Sequence, residues 1–296
     1  SEAGQVFTPE HITDFMYKIL DVNKDDYVLD ATCGSGGFLV KAMANMIREA
    51  GGMQSDTAAE IKSSHLYGIE FDREIYALAC ANMLIHKDGK TNLEQMDART
   101  ESACEWMKSK PITKVLMNPP YENKYGCMTI VENVLDNVPA HTQCAFILPD
   151  KKLEKASKAQ IKRILKNHRL RKVIKLPEDL FFGIGITTSI FVFEAGVGQD
   201  GKEFFACYME SDGLATVKNK GRHDIYGKWA AIEAHWVEVM EKQSGDNTCQ
   251  WIDPTEHLSY QMPQKPFEIF EEDFRKTAID YLMFQKGIDA KLFGEN

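Results

Sequence analysis

The stretch 27-YVLDATCGSGGFLVKAMANMI-47 joins a short apolar run to an amphipathic helix through a glycine turn. Tyr27 to Ala31 reads as a strand carrying an acid, Asp30, at its end. Phe38, Leu39, Ala42, Met43, Met46 and Ile47 then recur at helical spacing. Glycines 34, 36 and 37 let the backbone approach a ligand closely, at a helix N-terminus with partial positive charge. Two nucleotide readings fail. A P-loop requires Gly-Lys-Ser/Thr, which does not follow, and a dinucleotide fingerprint begun at Gly34 would need glycine where Leu39 stands. What remains suits a ligand with an ammonium and a carboxylate better than one with a pyrophosphate.

Working outward, short apolar runs alternate with helical patterns, the mark of an α/β fold with a parallel sheet and crossover helices. Further strands are expected at 65–70, 93–96, 113–118, 144–148, 171–176 and 189–194. Ala77, Leu78, Ala81, Met83, Leu84 and Ile85 give the apolar positions of a second helix. Asp72 and Asp150 are expected N-caps. Residues 51–64 read as an inserted loop with one short helix. The core is expected to span 1–196. Residues 197–296 would add an edge strand at 203–209, a loop at 221–229, a helix at 228–243 and an arm from Thr248.

Composition narrows the class. A chain of 296 residues, 44% hydrophobic, can bury a sizeable core. Seven cysteines without a CxxC pair argue for reduced thiols in the cytoplasm and against a zinc site or disulfide framework; no metal ligand set is expected. No apolar run approaches the roughly 20 residues that span a bilayer. The net charge of −9 opposes whole-surface binding of nucleic acid. Yet eleven Lys or Arg fall between Lys151 and Lys175 against the single acid Glu154, either a stripe for a polyanion or a solvated helix face.

Three more segments carry chemistry. Glu70 ends the strand in 67-YGIEFD-72, where an acid commonly accepts from ribose hydroxyls. Asp97, in 95-QMDAR-99, follows the next strand and is placed to meet an adenine amino group. Acids at the ends of three successive strands converge on one crevice. Upstream, 4-GQVFTPEH-11 reads as a helix start with Thr8 as N-cap and Pro9 at the first helical position, and the Thr8 hydroxyl could also hold a carboxylate. Finally 118-NPPY-121 ends the fourth strand.

In this order and spacing, GQVFTP, DATCGSGGF, GIEFD, MDAR and NPPY resemble the gamma-type adenine-N6 DNA methyltransferases, most closely the modification subunit of type I restriction-modification systems. Residues 176–194 resemble that family's later core and 211–229 its post-core region. The resemblance implies a Rossmann-like, mostly parallel seven-stranded sheet with a reversed seventh strand, helices on both faces, and S-adenosyl-L-methionine as methyl donor. By motif, Gln5, Val6, Phe7, Thr8, Pro9 and Glu10 with Asp30, Ala31, Thr32, Cys33, Gly34, Ser35 and Gly36 would hold the methionine part. Glu70 would hold the ribose, and Asp97 with Ala98 the cofactor adenine. Asn118 and Pro119 would accept from the target amine, with Pro120 stiffening the turn. Tyr121 would stack on the flipped base, opposite Phe181 or Phe182. Members of that family carry a helical domain ahead of GQVFTP, so the chain reads as a portion of such a protein. Sequence specificity is then expected from a separate DNA-specificity subunit, with a restriction subunit as a further partner. RNA adenine or protein-glutamine methylation, and a non-catalytic assembly role, are the alternatives.

Overall fold

Along β5 (Gln143–Pro149) side chains alternate between two apolar layers, with Cys144, Phe146 and Leu148 on one side and Ala145 and Ile147 on the other. A strand buried on both faces needs helices above and below it, and the chain supplies them. The computed structural model describes residues 6–85, 92–181, 183–264 and 270–287. The strands are β1 (Val28–Asp30), β2 (Leu66–Glu70), β3 (Asn92–Gln95), β4 (Lys114–Met117), β5, β6 (Arg169–Lys175), β7 (Thr188–Glu194), β8 (Phe204–Tyr208), β9 (Ala215–Val217), β10 (Gly221–His223) and β11 (Gln250–Ile252). The helices are α1 (Glu10–Ile19), α2 (Gly37–Glu49), α3 (Asp56–Ser64), α4 (Arg73–Ile85), α5 (Glu101–Lys108), α6 (Cys127–Asn137), α7 (Lys152–Lys155), α8 (Lys158–Asn167), α9 (Trp229–Lys242) and α10 (Glu271–Gln285).

Among the described residues the main sheet has nine strands, ordered β11-β8-β6-β7-β5-β4-β1-β2-β3. All seven strands expected from the sequence are present, and β7 runs antiparallel to both β5 and β6, the expected reversal. The expected count of seven is corrected because the post-core chain extends the sheet. β8 pairs in parallel with β6, and β11 closes the far side antiparallel to β8. Segment 203–209 is therefore an interior strand, its apolar residues buried on both faces, rather than an edge. The residues up to Tyr260 form one compact unit. The unit beginning at Gln261 contains α10, whose first turn is held by the Phe270 N–H donating to Asp273 at 3.1 Å.

Helices α1, α2, α3 and α9 contribute to one apolar layer, and α5, α6 and α8 to the other. Every apolar residue expected on the core face of α2 is buried there. On α4 the outcome differs: only Ala79 and Met83 are buried, while Leu78, Leu84 and Ile85 are exposed. Asp72 caps α4 as expected, accepting from the Glu74 and Ile75 N–H groups. Asp150 does not cap a helix; it accepts from Lys175 Nζ at 2.6 Å and Ser189 Oγ at 2.7 Å. Nor does Thr8 cap α1, whose N-cap is Pro9.

Two glycines set the approach of α2 to the sheet. Gly68, inside β2, has no room for a side chain, since a Cβ there would lie 2.5 Å from Leu93 Cδ2 and 2.8 Å from Leu39 Cδ1. Gly36 turns the chain into α2 at φ 90°, a region costly for any residue with a Cβ. The parallel directions of β1, β2, β3, β4, β5, β6 and β8 bring their carboxyl ends to one edge of the sheet.

Candidate active site

At that edge Asp30 closes β1, buried to 1% exposure. Burial pushes its carboxyl up to about 8; the Thr32 N–H, donating to Oδ1 at 3.0 Å, opposes the shift, and the nearby Glu70 adds to it. Glu70 closes β2. Its two oxygens accept from the Gly34 N–H at 2.9 Å and the Asp72 N–H at 3.0 Å, so one carboxylate ties the glycine turn to the turn before α4. Two hollows flank these acids. One, of about 200 Å³, is lined by Val6, Phe7, Thr8, Asp30, Thr32, Cys33, Gly34, Ser35 and Asn118. The other, of about 230 Å³, is lined by Ala31, Thr32, Glu70, Asp97, Ala98 and Pro120. Thr32 stands in the wall of both.

Most of the residues singled out from sequence thus meet in one crevice. Pro9 and Glu10 do not; they line a separate open cleft with His11, Arg222 and Trp229, and Pro119, Tyr121 and Phe181 are buried without lining either hollow. Gly36 shapes the entry to α2 rather than a wall, and Gln5 and Phe182 lie outside the described residues. Sequence reasoning missed Thr13, Phe38, Ile75 and Leu78 on the Asp30 side, and Phe71, Arg99 and Tyr125 on the Asp97 side. For α4 a signal existed: an apolar pattern broader than the helix can bury leaves residues to line a ligand hollow. Asp97 also has a partner the sequence did not suggest. The Arg99 guanidinium forks onto it, Nε at 2.9 Å and Nη2 at 2.7 Å, and holds its carboxyl below the usual range.

The end of β4 is built around Asn118, 7% exposed. Its Nδ2 donates to the Val6 carbonyl at 3.0 Å and to Thr8 Oγ1 at 2.9 Å. A carbonyl only accepts, so the Val6 bond fixes which way the amide faces and leaves Oδ1 on the other side. There Oδ1 accepts from the Tyr121 hydroxyl at 2.5 Å. The Tyr121 ring is turned inward, in the same apolar cluster as Phe181, and burial pushes its phenol up. Pro119 and Pro120 are buried beside it. From the start of α7, Lys152 Nζ donates to the Tyr121 carbonyl at 2.5 Å and to Asn123 Oδ1 at 2.9 Å, bracing the turn from the neighbouring strand end. Among the described residues no cluster of His, Cys, Asp and Glu could hold a metal ion.

The family model described as N-6 DNA Methylase matches residues 1–141 and 130–222, most of the chain. The chain belongs to the N-6 DNA methylase family. It is 31% identical over 308 residues to the type II restriction enzyme and methyltransferase RM.BcgI of Heyndrickxia coagulans, covering 97% of this chain and 47% of that one. It is 24% identical over 219 residues to the type I restriction enzyme EcoEI methylase subunit of Escherichia coli, covering 66% and 43%. This N-6 DNA methylase chain therefore spans less than half the length of those relatives. Among solved structures, the methyltransferase subunit of the type I restriction-modification system of Streptococcus thermophilus superposes with a TM-score of 0.66 at 20% identity, covering 86% of this chain and 57% of that one. The shared fold is that of S-adenosylmethionine-dependent methyltransferases.

Proposed function

We propose that the chain transfers a methyl group from S-adenosyl-L-methionine to the N6 amine of a DNA adenine. The observation that carries this is the Asn118 amide, oriented by the Val6 carbonyl so that Oδ1 is the atom offered at the end of β4. The adenine amine is a weak nucleophile because its lone pair is delocalised into the ring. Asn118 Oδ1 and the Pro119 carbonyl, accepting its two N–H groups, localise that pair and stabilise the positive charge developing on nitrogen. No strong base is required, which fits a turn without His or Cys.

The crevice fits the donor. A buried acid held at about 8 gains its charge when an ammonium arrives, so Asp30 would bind the methionine amine. Thr8, Thr32, Cys33, Ser35 and the Gly34 turn line the same hollow, together with Val6 and Phe7. Glu70, with acceptor capacity beyond its two backbone bonds, would take the ribose hydroxyls; Asp97 and Ala98 would meet the adenine, against Ala31 and Pro120. The bound donor supplies an electrophilic methyl group on sulfonium. The protein's part is to hold the amine in line with it.

The acceptor must leave the duplex, at a cost of a few kcal/mol, and ring stacking returns roughly 1–3 kcal/mol per base. Tyr121 would therefore exchange its hydroxyl contact with Asn118 for a stack on the base, with Phe181 or Phe182 opposite. For partners we propose a separate DNA-specificity subunit and a restriction subunit. The 31% identity to RM.BcgI across nearly the whole chain favours a second arrangement, with restriction and methylation on one polypeptide.

The test is transfer of labelled methyl to duplex DNA, RNA and a glutamine peptide by the full-length protein, followed by nucleoside and residue analysis. Label in N6-methyldeoxyadenosine is the expected result. Label in RNA or glutamine alone would replace DNA as the substrate.

A further inference from the structure

The β9–β10 hairpin stands at the same edge of the sheet as the crevice, because it follows β8, which runs parallel to β6. Its tip, between Val217 and Gly221, is Lys218-Asn219-Lys220. Asn219 and Gly221 take positive φ, 61° and 77°, and so make the tight turn that lifts the two lysines outward. Both lysines are exposed, and among the described residues neither is in an ion pair. The base of the hairpin is clamped. Asp212, buried to 1%, accepts from Arg222 Nη2 on Oδ1 at 2.6 Å and from Nη1 on Oδ2 at 2.9 Å, and His11 Nε2 lies 2.9 Å from the same Oδ2. Burial alone would raise the Asp212 carboxyl, but these two partners outweigh it and hold it well below the usual range. Arg222 also reaches Asp179, in the loop after β6, at 3.4 Å. His11 lies three residues beyond Thr8, which bonds Asn118. The hairpin is thus fastened to α1, which begins just after Thr8, and to the loop after β6 that carries Phe181.

Beyond it, Tyr226 is 67% exposed with Lys228 Nζ 5.4 Å from its ring centroid. The nearby acid, Asp224, spends its carboxylate on the Lys228 and Trp229 N–H groups at the start of α9. A protein of net charge −9 therefore presents two exposed lysines, Lys218 and Lys220, at the hairpin tip and a third, Lys228, at the start of α9. The larger basic segment, 151–175, does not compete. Seven of its eleven cations, Lys151, Lys152, Arg163, Arg169, Arg171, Lys172 and Lys175, are engaged within the fold.

We propose that the β9–β10 hairpin grips the phosphate backbone of duplex DNA next to the flipped adenine, with Lys218 and Lys220 on the phosphates. This rests on the DNA-methyltransferase reading above. Each phosphate neutralised adds about 0.9 to the dependence of log affinity on log salt. The test compares the full-length protein, with its partner subunits, to a Lys218→Gln/Lys220→Gln variant and to a Lys158→Gln/Lys162→Gln variant of α8, which loses the same charge elsewhere. Duplex affinity is read by anisotropy across a salt series, and cofactor affinity by calorimetry. The expected result is a slope shallower by about 2 in the hairpin variant alone, a KM for DNA raised at least tenfold, and unchanged cofactor affinity and kcat. An unchanged slope, or an equal loss in the α8 variant, overturns the proposal. Wild-type protein that does not methylate DNA would instead overturn the reading on which it rests.

Discussion

Asp30 holds a proton that an exposed aspartate would have lost. Its folded pKa of about 8 lies above the ordinary 3.8, so between these values the folded state binds the extra proton. The stability associated with that proton is complete below pH 3.8 and is lost as pH rises to about 8. Asp30→Asn should therefore unfold at a higher temperature than wild type at pH 9, with the gap narrowing at pH 5. The same variant should bind the cofactor poorly. In the wild type, ammonium binding should expel the proton, so affinity should climb by up to about tenfold per pH unit below 8. Calorimetry in buffers of different ionisation enthalpy reads the proton directly. At Tyr121, removal of the hydroxyl frees Asn118 Oδ1 while keeping the ring. Tyr121→Phe should methylate within several-fold of wild type, whereas Tyr121→Ala should raise the KM for DNA by about 5- to 150-fold, matching about 1–3 kcal/mol of stacking. The acids at the strand ends were legible in the sequence because position along a strand fixes them. The bonds from Asn118 to Val6 and Thr8 were not, since nothing local couples residues so far apart in the chain, and Thr8 consequently reads as a helix cap.

At the scale of elements, the turn 118–123 is braced by a cation from α7. Lys152→Met removes both bonds of that ammonium and should lower kcat about tenfold or more with cofactor affinity intact, while Lys152→Arg, able to reach a carbonyl, should recover part of the rate. A stopped-flow turnover series separates the two. The contact of α2 with β2 is equally exacting. Gly68→Ala forces a methyl into Leu93 and Leu39 and should cost about 1–3 kcal/mol, read as a lowered denaturant midpoint. Periodicity predicted the buried face of α2 correctly and overstated that of α4. A pattern reports which residues share a face, not whether a neighbour covers it; α4 turns part of its apolar face to the ligand hollow through Ile75 and Leu78.

For the whole molecule, the alternation of strand and helix was enough to give the α/β class and the reversal at β7 followed from the family resemblance. The strand at 203–209 was legible as an apolar run, but its interior place was not, because β8 resembles any edge strand until its partners on both sides are known, and β11 is only three residues within the segment expected as an arm. Charge behaved in the same way. The densest basic segment is mostly consumed by internal partners, and the smaller cluster on the hairpin remains presented to solvent. The central claim is that Asn118, set by the Val6 carbonyl, directs the amine of the target adenine. The measurement that tests it most directly is single-turnover methylation of an adenine-containing duplex by wild type and Asn118→Ala, with cofactor affinity determined in parallel. The account predicts a rate lowered by about 10²–10³ or more with cofactor affinity changed less than tenfold. A wild-type rate in that variant would contradict it.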